Sequence, residues 1–228
     1  MYRYHALASD NVGLQESLPY DVFHYLKSSL KLETECFASP LNCSDLLCSY
    51  YSRFKDTDQY FLSKGSFFDD FPEEGSFEAN PPFIEDCMVK NILHIKEILR
   101  RSTKPLSFVL IVPAWMDDEC QSYQNTIYDD IEAKTPNPYL LNLGDIFDEE
   151  NTRTKPYLFF KKGEHYYENG MYHTTDYFFM RANSDTLLFI LQNEEGRKAY
   201  PVDKNILRKI AMYWRYDQSY RVMFLLIE

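Results

Sequence analysis

The chain has no run of about 18 or more apolar residues, so it reads as lacking a membrane-spanning helix. Its first thirty residues, with Asp10, Glu16 and Asp21, lack the basic-then-apolar order of a secretory signal, and the expected location is intracellular, nuclear or cytoplasmic. Cysteine is scarce and odd in number. Cys36, Cys43, Cys48, Cys87 and Cys120 stand in a chain long enough to bury a core without staples, so reduced thiols fit better than a disulfide framework. On that reading Asn42-Cys43-Ser44 is a chance match to a glycosylation triplet. Positive charge is also short: 24 Lys and Arg face 35 Asp and Glu, a net charge of −11, whereas phosphate contacts are normally supplied by a surplus of cations. This argues against a simple electrostatic nucleic-acid binder. Local basic groups remain at Arg100-Arg101, Lys155, Lys161-Lys162 and residues 204–215, each of which also reads as a solvated face. No internal repeat is evident.

What is present is an ordinary globular composition, 45% apolar and 26% charged, with apolar runs set between polar stretches. The 228 residues suit one domain. The expected division is a helical lead-in over 1–34, a core over 35–205, and a helix and tail over 206–228. Val22, Phe23, Tyr25, Leu26 and Leu30 recur at helical spacing after Pro19, which predicts a helix within 18–32. A short buried strand is expected over 35–40, stopped by proline, then loop and irregular elements over 51–72. Residues 75–79 read as a second strand, ended by Pro81-Pro82, which cannot donate ladder bonds or continue as helix. Cys87, Met88, Ile92, Ile95, Ile98 and Leu99 then predict a helix over 85–101, with acids at its start and Arg100-Arg101 at its end.

Residues 107–112 are uninterrupted and apolar, as in a strand buried on both faces, with Pro113 ending it. Strand, proline loop, helix and buried strand make a βαβ unit, which puts the loop at the carboxyl edge of a parallel sheet, where ligands bind. The following segment to about Arg153 is acidic and loop-rich. Its Asp117-Asp118-Glu119 and Asp129-Asp130 read as solvated carboxylates, with no His at ligand spacing, so no metal is expected. Residues 178–180 and 187–191 read as late strands, as of a hairpin closing the sheet, and 204–214 as a helix. His24 and His94, on predicted helices, read as packed or surface residues. His165 and His173, among Tyr166, Tyr167 and Tyr172, read as aromatic packing before RNA contact, and Cys36 as a buried small apolar residue.

Asn80-Pro81-Pro82-Phe83 carries the chemistry. Methylating the exocyclic amine of adenine requires turning a conjugated nitrogen lone pair toward an electrophilic methyl, and two acceptors for the amine's hydrogens do this. The Asn80 side-chain oxygen and the Pro81 carbonyl are two acceptors on one stiff loop, since each proline fixes its φ and offers no donor. Phe83 can stack on the base, worth roughly 1–3 kcal/mol. Taken alone the four residues also fit a plain rigid turn. The strand-loop-helix setting favours the chemical reading.

Longer strings carry a resemblance. Glu35-Cys36-Phe37-Ala38-Ser39-Pro40-Leu41-Asn42-Cys43, Asp56-Thr57-Asp58-x-Tyr60-Phe61 and Gly75-Ser76-Phe77-Glu78-Ala79-Asn80-Pro81-Pro82-Phe83 resemble the cap-specific adenosine methyltransferase family, also called phosphorylated-CTD-interacting factor. The likeness continues through Pro105-Leu106-Ser107-Phe108 to Pro113-x-Trp115 and, more loosely, Leu191-Gln192-Asn193, so it covers about residues 14–205. It implies an α/β fold of class I, Rossmann-like, with a mainly parallel sheet and helices on both faces. It also implies methyl transfer from S-adenosylmethionine, without metal, to the first transcribed adenosine beside a 7-methylguanosine cap. Asn80, Pro81, Pro82 and Phe83 would be catalytic and touch the donor; Ala38, Ser39, Pro40 and Asn42 would line the donor site; Glu85, Pro113 and Trp115 would face capped RNA.

Two departures qualify the match. Members carry an Arg after the tryptophan where Met116 stands, and well-known members carry a WW module and a helical region where about 35 residues precede the first motif here. A short form is therefore expected, either a minimal or divergent member or one that borrows RNA-binding surface from a protein partner. The competing readings are a DNA adenine methyltransferase and a catalytically silent subunit that binds a partner or capped RNA.

Overall fold

The computed structural model describes residues 16–114, 157–169 and 178–215. A two-residue strand β1 (Glu16–Ser17) leads to Pro19 at the N-cap of α1 (Tyr20–Leu30). This helix buries Val22, Phe23, Leu26 and Leu30 and stops at Lys31, whose φ of 57° is left-handed. Next come β2 (Thr34–Ala38), β3 (Ser49–Ser52) and the single turn α2 (Lys55–Asp58), followed by 3₁₀ turns at Gln59–Phe61 and Phe67–Asp69. Then β4 (Gly75–Ala79), α3 (Glu85–Arg101) and β5 (Leu106–Pro113) form the expected βαβ unit. The remaining described elements are β6 (Tyr157–Phe160), β7 (Tyr166–Asn169), β8 (Phe179–Arg181), β9 (Thr186–Gln192), α4 (Glu194–Ala199) and α5 (Lys204–Trp214).

Among the described residues, six strands form the main sheet in the order β3-β2-β4-β5-β9-β6. β3, β2, β4 and β5 run parallel, and β9 is reversed, antiparallel to β5 on one side and β6 on the other. All eight residues of β5 are buried, which is why that stretch is continuously apolar: it is central and covered on both faces. Alternation assigns its side chains. Phe108, Leu110 and Val112 meet α3 through Met88, Ile92, Ile95 and Ile98, while Val109 and Ile111 meet α1 and α5 through Val22, Leu26, Ile210 and Trp214. Each buried aliphatic side chain contributes about 1.5–3 kcal/mol, so the two faces together supply most of the driving force for folding. A mainly parallel α/β sheet covered by helices on both faces is the class I methyltransferase architecture that the resemblance implies.

Some expectations change. The stretch from Tyr51 is not all irregular, because Tyr50 and Tyr51 are buried in edge strand β3; a four-residue strand of two tyrosines between serines is too short for a periodic signal. The first core strand ends at Ala38 rather than Pro40, and Pro113 is the last residue of β5 rather than the stop beyond it. The two late strands do not form a hairpin: β9 enters the main sheet, whereas β8 pairs with β7 in a separate three-stranded sheet ordered β1-β7-β8. Alternation alone does not choose a partner, so two nearby strands can go to different sheets.

Because β2, β3, β4 and β5 are parallel, the chain leaves all four at one edge. The segments starting at Ser39, Arg53, Asn80 and Ala114 therefore share it.

Candidate active site

Asn80 is the first residue beyond β4 and is half-buried. Its Nδ2 donates to the Glu16 carbonyl of β1 at 3.0 Å. With the amide nitrogen engaged, Oδ1 is left on the other side of the planar group as an acceptor. Glu16 is itself fixed by pairing with Asn169 of β7, so the small sheet sets the direction of the Asn80 amide. Pro81 is buried and Pro82 exposed. The Ile84 N–H donates to the Pro82 carbonyl at 2.7 Å, and the Met88 N–H to the Ile84 carbonyl, which turns the chain into α3. Among the described residues no backbone bond uses the Pro81 carbonyl. Phe83 is half-buried and packs on the α3-side core, which limits how its ring can move.

The segment after β2 is closed on itself. Asn42 Oδ1 accepts from the Ser39 N–H at 2.7 Å and from Ser39 Oγ at 2.8 Å, and the Ser39 carbonyl accepts from the N–H groups of Asn42 and Cys43. Ser39 is buried; Ala38, Pro40 and Asn42 are half-buried or nearly covered. The Asn42 oxygen is thus spent on shaping the turn, and any contact with a ligand falls to its Nδ2. β2 and β4 are neighbours, so this turn and the Asn80 segment lie side by side.

Glu85 stands half-buried in the first turn of α3. Pro113 is buried and opposite Thr186, and the Ala114 N–H donates to the Asp185 carbonyl at 2.8 Å, fixing how the chain leaves β5. Trp115, Met116, the acidic groups over 117–130 and His173 lie outside the described residues. His94 is packed, its Nε2 2.9 Å from the carbonyls of Phe67 and Asp70. His165 is buried against Phe160, Tyr167 and Trp214, with Nε2 3.0 Å from Thr186 Oγ1, and desolvation lowers its pKa to about 4. Cys36 is buried as expected. No group of three His, Cys, Asp or Glu among the described residues is placed to hold a metal ion.

Three acids beneath this edge were not singled out from the sequence. Glu35 on β2 and Glu78 on β4 are direct register partners, 4% and 1% exposed. Cys36, Phe77 and Ala79 face α3, so Glu35 and Glu78 point to the opposite face, toward the small sheet. Glu35 Oε1 accepts the Ser44 N–H at 2.6 Å, whereas Glu78 Oε2 has no hydrogen-bond partner. Burial pushes Glu35 up to about 7, and burial together with the Glu35 charge pushes Glu78 well above the usual carboxylate range. Glu16 is also raised by burial, to about 7. The available signal was a Glu inside each of two apolar strands, in Glu35-Cys36-Phe37-Ala38 and Phe77-Glu78-Ala79.

Known proteins resemble this chain over most of its length. The human mRNA (2'-O-methyladenosine-N(6)-)-methyltransferase is 33% identical over 208 residues, 90% of this chain and 26% of its own length. The mouse protein of the same name is 33% identical over 214 residues, 92% of this chain and 27% of its own. The chain thus spans about a quarter of the length of these relatives. The family described as phosphorylated CTD interacting factor 1 WW domain matches residues 1–132, a stretch whose described part holds β1 through β5 and the Asn80 segment. With more than half of its residues in that match, the chain belongs to the phosphorylated CTD interacting factor 1 family.

Proposed function

We propose that this chain methylates the exocyclic amine of adenosine in RNA, and specifically of the 2'-O-methyladenosine beside a 7-methylguanosine cap. The observation that carries the reading is the Asn80 amide, tied through Nδ2 to the Glu16 carbonyl so that Oδ1 is presented as an acceptor at the carboxyl edge. The names of the human and mouse relatives support the substrate class. S-adenosylmethionine, when bound, supplies an electrophilic methyl on a sulfonium. Asn80 Oδ1 and the Pro81 carbonyl accept the two amine hydrogens and aim the nitrogen lone pair at that methyl. Phe83 stacks on the adenine, and Ala38, Ser39, Pro40 and Asn42 border the donor. Glu85 and the segment from Pro113 through Trp115 face the capped RNA. A base beside the cap is unstacked and reaches such a loop without the cost of opening a duplex. The net charge of −11 favours an RNA grip supplemented by a protein partner; tight filter-binding of capped RNA by the isolated chain would remove that need.

The test is transfer of tritiated methyl to capped RNA beginning with adenosine, the same RNA uncapped, and single-stranded DNA. Capped RNA should be the preferred acceptor, and Asn80→Ala should lower kcat on the order of 100-fold or more. Equal rates for wild type and Asn80→Ala would overturn the mechanism, and preference for DNA would overturn the substrate.

A further inference from the structure

Glu35 and Glu78 lie side by side on neighbouring strands, buried, with one carboxylate oxygen of Glu78 unpartnered. Two carboxylates so placed cannot both ionise without a compensating charge. Both connect to the site above them. Glu35 holds the turn after β2 through Ser44, and Glu78 stands two residues before Asn80, on the same side of β4 as the small sheet that grips the Asn80 amide.

We propose that Glu35 and Glu78 stay protonated in the free protein and that the pair releases one proton to solvent when the positively charged methyl donor binds, leaving a carboxylate as counter-charge to the sulfonium. This rests on the donor reading given above. On that reading the donor's methyl meets the amine that Asn80 holds, which brings its positive sulfur to the sheet edge that carries the pair. The neutral thioether product, S-adenosylhomocysteine, lacks that charge and leaves the proton in place. The pair therefore favours donor over product, which promotes turnover. Other groups facing the pair do not replace the cation. Cys36 feels both acids, its thiol pushed up by burial and by the two carboxylates, with Lys64 acting against them. Cys43 and Tyr50 feel Glu35, and Tyr167 of β7 feels Glu16 and Glu78.

Calorimetric titration of the whole chain with S-adenosylmethionine and with S-adenosylhomocysteine, in two buffers of different ionisation enthalpy, counts the protons released. Working between about pH 5.5 and 7 keeps the ligand's α-ammonium charged, since such groups titrate near 7.7–8.0. About one proton should leave per donor bound, with Kd tightening roughly tenfold per pH unit, and close to none per product bound. The combined Glu35→Gln, Glu78→Gln chain should bind donor with a nearly pH-independent Kd while melting cooperatively. Equal proton release by both ligands, or a pH-independent Kd in the wild type, overturns the proposal. If neither ligand binds at all, the donor reading falls and the linkage falls with it.

Discussion

At the level of single residues, the site depends on how an amide is turned. The Asn80 side chain differs from an aspartate, a carboxylate of equal shape, in having a donor, and the structure uses that donor on the Glu16 carbonyl 3.0 Å away. Asn80→Asp keeps an acceptor for the adenine amine but sets an oxygen against an oxygen at the tether. The lost bond and the unmatched acceptor amount to about 1–3 kcal/mol, a rate effect of about 5- to 150-fold. Steady-state kinetics on capped RNA should show this loss mainly in kcat, with KM little changed. A loss confined to KM would mean that the tether does not aim Oδ1. The identity of Asn80 was legible in the sequence because proline pairs after a strand are conspicuous. Its tether to a residue 64 positions earlier was not, since no local pattern encodes it.

At the level of elements, α3 and α5 start and end within about two residues of where their apolar spacing predicts, because each presents one face to the sheet. The junction at the amino edge was illegible. Asn193 uses all its capacity there: Oδ1 accepts from Gly196 and Leu106, and Nδ2 donates to the carbonyls of Ser102 and Lys104. It thereby joins the end of α3, the start of β5 and α4. Gly196 completes the contact, since a Cβ there would lie 1.9 Å from the Leu106 carbonyl oxygen. Gly196→Ala should therefore destabilise the fold by about 2–4 kcal/mol through displacement of α4 from β5. Thermal melting should show the drop. The Asn80 loop lies at the opposite edge, so kcat measured well below the melting point should stay near wild type.

Across the whole molecule, buried charge ties stability to pH. Glu16 and Glu35 have folded pKa values of about 7, above an ordinary 4.5, and burial with the Glu35 charge also holds Glu78 well above 4.5. Their native protons stabilise fully below about pH 4.5, and that contribution is lost as pH rises toward and through about 7. His165 acts in the opposite sense, since its folded pKa of about 4 lies below 6.5 and its contribution is lost as pH falls through that window. Three carboxyls outweigh one imidazole, so urea unfolding at about pH 5, 6 and 7 should give a falling free energy. The combined Glu35→Gln, Glu78→Gln chain should show a flatter profile, and an unchanged slope would place the titration elsewhere. By itself the sequence determined the helices, the central apolar strands, the βαβ unit and the Asn80 loop at its edge, because periodicity and proline act over a few residues. Tertiary structure alone decided that β8 and β9 part into different sheets and that Glu16 reaches Asn80. It also set Glu35 against Glu78 at the edge that carries the Asn80 loop, since pairing across strands joins residues that no local rule relates.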